Sequence, residues 1–218
     1  MTQPDTRAHP QTASGAASVT PDTALHQPID QPISPPMLPP NRAQLRKYLL
    51  GLRRTTDSAL RREWDALLGQ HLLAWCQQHQ PASLGLFWPI QAEPDLRGVY
   101  PLLHQMGIVL ALPVVLNKAQ PLVFLQWQPG DAMAADEHGV PAPAQRAHRL
   151  QPEVILVPCV GFNCRQFRLG YGGGYYDRSL AQSPRPRAIG IAYQQALADF
   201  PAESHDIAMD LMLTEQAS

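Results

Sequence analysis

The chain has 218 residues, 44% hydrophobic and 16% charged, a balance that suits one globular domain and argues against disorder through most of its length. A formal net charge of -1 with no long run of Lys or Arg argues against nucleic acid or an anionic membrane surface as partner. Cys76, Cys159 and Cys164 lack CxxC spacing and a nearby His pattern, which disfavours both a disulfide framework and a zinc site. No apolar run approaches the ~18 residues needed to span a bilayer, and the first residues lack the pattern of a signal or transit peptide. A soluble cytoplasmic protein with reduced thiols is expected.

Residues 1–40 are rich in Pro, Thr, Gln, Ala and Ser and bury too little apolar surface to offset ordering entropy, so a disordered Pro-rich tail is expected there, with one domain over 41–218. Asn41 is placed to cap a helix carrying Arg42, Arg46, Lys47, Arg53 and Arg54, which ends at the break Thr55-Thr56-Asp57-Ser58. Arg53 and Arg54 read as solvated surface. Leu60, Trp64, Leu67, Leu68, Leu72 and Trp75 recur at helical spacing and predict a second helix that packs on a sheet through that stripe.

Residues 83–89 form an apolar run, Leu96, Val99, Leu102, Leu103 and Met106 return to helical spacing, and Gly107 closes that helix before a strand at 108–116. Strand, helix and strand in about thirty residues indicate a βαβ unit with parallel strands. Residues 122–127 read as a further strand, hairpin-paired through Asn117 and Lys118, and 128–149 as a long loop or lid. The continuous apolar run 154–160 predicts a parallel strand buried on both faces, so the loop after it should carry function. Strands at 188–193 and 207–214 complete an α/β fold: a single three-layer domain whose mainly parallel sheet is flanked by helices.

The segment Arg168-Leu169-Gly170-Tyr171-Gly172-Gly173-Gly174-Tyr175-Tyr176-Asp177-Arg178 holds four glycines between arginines. Glycines permit positive φ and let backbone N–H groups converge on an anion, with phosphate the natural occupant; a flexible surface loop is the plainer alternative. The pattern is neither a Walker motif nor GxGxxG.

With the preceding Val157-Pro158-x-x-Gly161-Phe162, this segment resembles the signature of the 5-formyltetrahydrofolate cyclo-ligase (5,10-methenyltetrahydrofolate synthetase) family. Arg42-x-x-x-Arg46, the segment 87–95 with Glu93, Leu112-Pro113-Val114, and Pro201-x-Glu203-x-His205-Asp206 followed by Asp210 and Thr214-Glu215 resemble other family segments in the family's order.

The resemblance implies an enzyme that uses ATP and magnesium to close 5-formyltetrahydrofolate into 5,10-methenyltetrahydrofolate, releasing ADP and phosphate through a phosphorylated formyl (iminium phosphate) intermediate. It further implies that Arg42 and Arg46 face the nucleotide phosphates, that residues 168–176 cradle ATP, and that Arg168 and Tyr175 serve catalysis. Trp88, Glu93 and Tyr175 would bind the folate, and Asp177 and Asp206 magnesium. Asp206 as a simple turn cap and Trp88 as core remain alternative readings. Three positions depart from the family pattern: Asn163 where Asp is usual, Gln166 where Gly is usual, and Ala142 where a carboxylate is usual. A monomer is expected. A module of the same fold that binds ATP or folate without turnover, or a sugar-phosphate isomerase or acyl-CoA transferase-like enzyme, are the competing readings.

Overall fold

A computed structural model of the chain describes residues 41–216, so the expected tail at 1–40 lies outside the described residues. Helix α1 (Arg42–Thr55) begins where the Asn41 side chain accepts the Gln44 N–H at 2.9 Å, and α2 (Ser58–His79) where Asp57 accepts the N–H groups of Ala59 and Leu60. Each cap satisfies donors that a first helical turn leaves open. The break read at Thr55 to Ser58 is therefore two helix ends meeting.

Strand β1 (Ser83–Gly85) leads through a 3-10 turn (Arg97–Val99) into α3 (Tyr100–Gln105) and β2 (Val109–Val114). There follow β3 (Val123–Gln126), β4 (Met133–Ala135), β5 (Pro141–Pro143), β6 (Arg149–Leu150) and β7 (Val154–Pro158). The chain closes with β8 (Gly161–Phe162), β9 (Arg168–Leu169), α4 (Tyr175–Leu180), β10 (Arg187–Ile191) and β11 (Leu211–Leu213).

Seven strands make one sheet in the order β11-β10-β7-β1-β2-β3-β6. The five from β11 to β2 are parallel, as the βαβ reading requires, while β3 pairs antiparallel with β2 and with β6. Alternation along β7 shows why both faces are covered. Val154 and Leu156 join Leu68, Leu72 and Trp75 of α2 and Leu103 of α3, whereas Ile155 and Val157 join Leu180 of α4. Successive side chains of a strand point to opposite faces, so a continuous apolar run demands a layer on each side. Leu72 is fully buried in the first of these layers. Leu72→Ala should therefore cost about 3 kcal/mol through lost burial and a residual cavity, read as a lower denaturant midpoint with an unchanged slope.

Two helical expectations are corrected. The buried face of α2 is Leu68, Gly69, Leu72, Trp75 and Cys76, while Leu60 and Leu67 are exposed. Those two lie about a third of a turn away from Leu72 at ~100° per residue, and the sheet reaches only one side. In the third helical segment Tyr100 and Leu103 are buried but Leu102 and Met106 are exposed, and Gly107 at φ 82° ends it as expected.

The stretch read as a long loop or lid carries the antiparallel β4–β5 ribbon, whose tip is held by Asp136 accepting from the His138 and Val140 N–H groups. A second small ribbon, β8–β9, follows β7 and presents the glycine loop. Among the described residues no helix is long and apolar enough to cross a membrane.

Candidate active site

The carboxyl ends of β1, β2 and β7 deliver Phe87, Pro113, Val115 and Pro158 to one cavity of about 620 Å³. Open parallel sheets place ligands at this edge, because the strand ends and the loops leaving them leave a crevice there. Five further segments close it: the start of α1, residues 87–93, the β4–β5 tip, residues 168–177 and residues 203–206. Of the residues singled out in the sequence, Arg42, Arg46, Trp88, Glu93, Arg168, Gly170 to Asp177 and Asp206 all line this cavity.

Leu169 does not. Its side chain is fully buried against Leu45, Leu49 and Val160, because strand alternation turns it away from the side that Arg168 faces.

The glycine loop is built as a donor surface. Gly172 and Gly174 adopt φ of 97° and 64°, which a residue with a Cβ rarely takes. The carbonyls of Gly170 and Gly173 are bound by Arg46 Nε at 2.6 Å and by the Arg178 guanidinium at 2.7 Å. Two oxygens that would repel an anion are thereby covered by cations. The helix behind the loop, α4, is only six residues long, so the backbone nest and the arginines carry the anion site more than a helix dipole does.

Glu93, on the same cavity, is 4% exposed. Its carboxylate accepts the Ile90 N–H at 2.9 Å and the Tyr171 hydroxyl at 2.8 Å. Burial pushes its carboxyl above the usual range, and those two hydrogen bonds with the Arg53 charge pull it back only in part. Trp88 is half-buried, edge-on to Trp127 and under the Arg97 guanidinium, so it belongs both to the core rim and to the cavity wall. Tyr175 lies between Arg178 and His138.

Arg53 corrects the sequence reading. It is 5% exposed, donating to the Cys159 carbonyl and the Tyr171 hydroxyl. Helix α1 lies against the β8–β9 ribbon through Leu45 and Leu49, which carries Arg53 inward with them.

Both aspartates are held by arginines. Arg168 meets Asp177 at 2.6 Å, and Arg42 meets Asp206 at 2.6 and 3.3 Å. Burial raises the Asp206 carboxyl, but Arg42 and the Glu203 N–H outweigh it and hold the group below the usual carboxylate range. Glu203, His205 and Asp206 bring their ligand atoms within 4.8 Å of one another at the cavity rim. Asp177 stands outside that group but lines the same cavity, and the carboxylate oxygens of Asp177, Asp206 and Glu203 are hard donors of the type magnesium takes.

A sequence profile described as the 5-formyltetrahydrofolate cyclo-ligase family matches residues 39–215. The chain belongs to that family. A 5-formyltetrahydrofolate cyclo-ligase from Mycolicibacterium smegmatis is 33% identical over 187 residues, 80% of this chain and 93% of the relative. Two solved structures share the fold: a 5,10-methenyltetrahydrofolate synthetase from Mycoplasma pneumoniae (TM-score 0.66, 25% identity, 81% of this chain and 99% of that one) and one from Aquifex aeolicus (TM-score 0.70, 27% identity, 81% and 90%).

The three departures from the cyclo-ligase pattern acquire structural reasons. The Asn163 side chain accepts the Arg165 and Phe167 N–H groups and donates to the Phe200 carbonyl at 3.0 Å, a bond for which an ionised Asp has no proton. Gln166 sits at φ 63°, a backbone position where Gly carries no penalty. Ala142 is fully buried with Val114 and Leu125, leaving an ionised carboxylate without a partner there.

The cyclo-ligase cavity also contains residues to which the sequence reading gave no role of their own: Asp136 and His138 on the ribbon tip, and Glu203 and His205 at the rim, while Arg53 lies outside the lining, behind Tyr171. For Arg53 a signal was present, since Arg42, Arg46 and Arg53 are spaced four and seven apart and share one helix face. The ribbon tip lies in the stretch read as a loop or lid, but neither Asp136 nor His138 was singled out there.

Proposed function

We propose that this chain is a 5-formyltetrahydrofolate cyclo-ligase, working as a monomer in a reducing cytosol, that spends one ATP per ring closed. The observation that carries the reading is a single cavity lined both by a glycine loop with its arginines and by a buried, hydrogen-bonded carboxylate. Phosphates suit the first, and the amino and ring N–H groups of a pterin suit the second. All these residues come from one chain, and the free thiols Cys76, Cys159 and Cys164 suit a reducing compartment.

In this reading Arg42 and Arg46 bind the nucleotide phosphates, and Arg168 with the loop N–H groups neutralises the transferring phosphoryl group. The formyl oxygen attacks the γ-phosphorus, forming an O–P bond as the bond to the β-phosphate oxygen breaks and ADP leaves. The formyl carbon becomes an iminium carbon bearing phosphate. N10 of the folate attacks that carbon and closes the ring, its proton passes to solvent, and phosphate departs with the C–O bonding pair. Glu93 holds the pterin, while Trp88 and Tyr175 wall the path and keep water off the iminium carbon. Most of the rate then comes from positioning and charge neutralisation.

Asp177 and Asp206 would hold magnesium, whose charge would add to the neutralisation of the phosphates. Each aspartate holds an arginine, Asp206 that of Arg42 and Asp177 that of Arg168, and ATP phosphates would be the alternative partners of those two guanidinium groups.

The test is to mix purified protein with ATP, magnesium and 5-formyltetrahydrofolate and follow the near-ultraviolet band of the methenyl product. Growth of the band only when ATP and magnesium are both present is the expected result. Nucleotide binding with no band would make the chain a non-catalytic binding module.

A further inference from the structure

A buried polar chain runs from the end of α1, under the glycine loop, to Glu93 on the cavity. Arg53 donates from one terminal nitrogen to the Tyr171 hydroxyl and from the other to the Cys159 carbonyl at 3.4 Å, with its guanidinium over the Tyr171 ring at 5.9 Å. A guanidinium only donates, so the phenol oxygen must accept there. The single phenol proton is then committed to Glu93 Oε1 at 2.8 Å, while Glu93 Oε2 takes the Ile90 N–H. With a donor on each oxygen, the Glu93 carboxyl group has both of its oxygens satisfied although it is 4% exposed. Such a group is costly to bury without partners.

We propose that Arg53 and Tyr171 are positioning residues for the folate: they fix the Glu93 carboxyl group in place, and Tyr171 thereby ties the nucleotide loop to the pterin site. This rests on reading Glu93 as the folate-binding carboxylate. Tyr171 belongs to the loop that cradles phosphate, yet its hydroxyl is spent on Glu93, so an ordered loop and a placed carboxylate are one structure. Tyr100, Tyr176 and Cys159, the other ionisable groups that act with Arg53 and Tyr171 around Glu93, have their ionisation pushed up by burial and stay neutral near pH 7. Arg53 is therefore the positive charge that offsets Glu93 from within.

The experiment uses the full chain and the variants Tyr171→Phe, Arg53→Lys, Arg53→Met, Glu93→Gln and Tyr171→Phe/Glu93→Gln, each checked for fold by circular dichroism. KM for 5-formyltetrahydrofolate and for ATP are measured separately. Losing a hydrogen bond to a charged group should raise the folate KM on the order of tenfold in Tyr171→Phe, with a much smaller change for ATP. Arg53→Met should behave alike, and Arg53→Lys should recover part of the loss.

The double variant should be no worse for folate than Glu93→Gln alone, because both changes act through one group. A merely structural tyrosine would raise both KM values and add its effect to that of Glu93→Gln. A folate KM within twofold of wild type in Tyr171→Phe, or additive losses in the double variant, overturns the inference while leaving Glu93 in its role. An unchanged folate KM in Glu93→Gln overturns the role of Glu93 and the inference with it.

Discussion

Asp177→Asn should lower turnover by about 10³-fold while the protein still folds. Asparagine keeps the shape of the side chain and a carbonyl oxygen facing Arg168, which lies 2.6 Å from the Asp177 carboxylate. It removes the charge. A neutral amide oxygen is a poor magnesium ligand, and it no longer balances the buried guanidinium, so two effects converge on the phosphoryl group. Some stability is lost as well, since Arg168 is 6% exposed and would be left partly uncompensated. The decisive readout besides turnover is the magnesium dependence of ATP binding by titration calorimetry, which should disappear in the variant. Near-normal activity together with an unchanged magnesium dependence would remove Asp177 from the metal site.

Gly170→Ala should cost about 10²-fold in turnover with little change in melting temperature. An ideal Cβ at residue 170 would lie 2.2 Å from Arg168 Nη1 and 3.1 Å from its Cζ, and φ at Gly170 is not in the left-handed region. The backbone therefore accepts alanine, and the end of the Arg168 side chain is what must yield. Displacing that guanidinium breaks its pair with Asp177 and takes the positive charge away from the loop. Gly51→Ala is the matched control. It lies inside α1 with open space around its Cβ, and it should leave activity unchanged and stabilise the helix by roughly 0.5–1 kcal/mol. Equal activity in Gly170→Ala and Gly51→Ala would show that Arg168 need not stand where it does for phosphoryl transfer.

These two expectations also mark how far the chain could be read without its structure. Asn41 announced a helix start because a cap is a contact between residues three apart, whereas Asp57, read only as part of a break, proved to cap the second helix. The apolar runs at β1, β2 and β7 announced a parallel sheet covered on both faces, since strand alternation leaves no polar side to expose. The glycine loop and its arginines were legible for the same local reason: positive φ and convergent amides need only neighbours in sequence.

What the chain could not disclose is what packs against what. Arg53 looked like solvated surface among basic neighbours, and it is buried because Leu45 and Leu49 draw α1 onto the β8–β9 ribbon. Leu60 and Leu67 looked like core and are exposed, because the sheet reaches only one side of α2. Leu169 stood inside the loop motif yet faces the interior, and the stretch read as a loop or lid proved to be a ribbon whose tip brings His138 to the cavity. Local sequence determined the elements, the glycine loop and the family's chemistry. Burial, the pairing of Arg168 with Asp177 and of Arg42 with Asp206, and the Arg53–Tyr171–Glu93 chain were decided by tertiary structure, because each depends on residues 9 to 164 positions apart meeting in space.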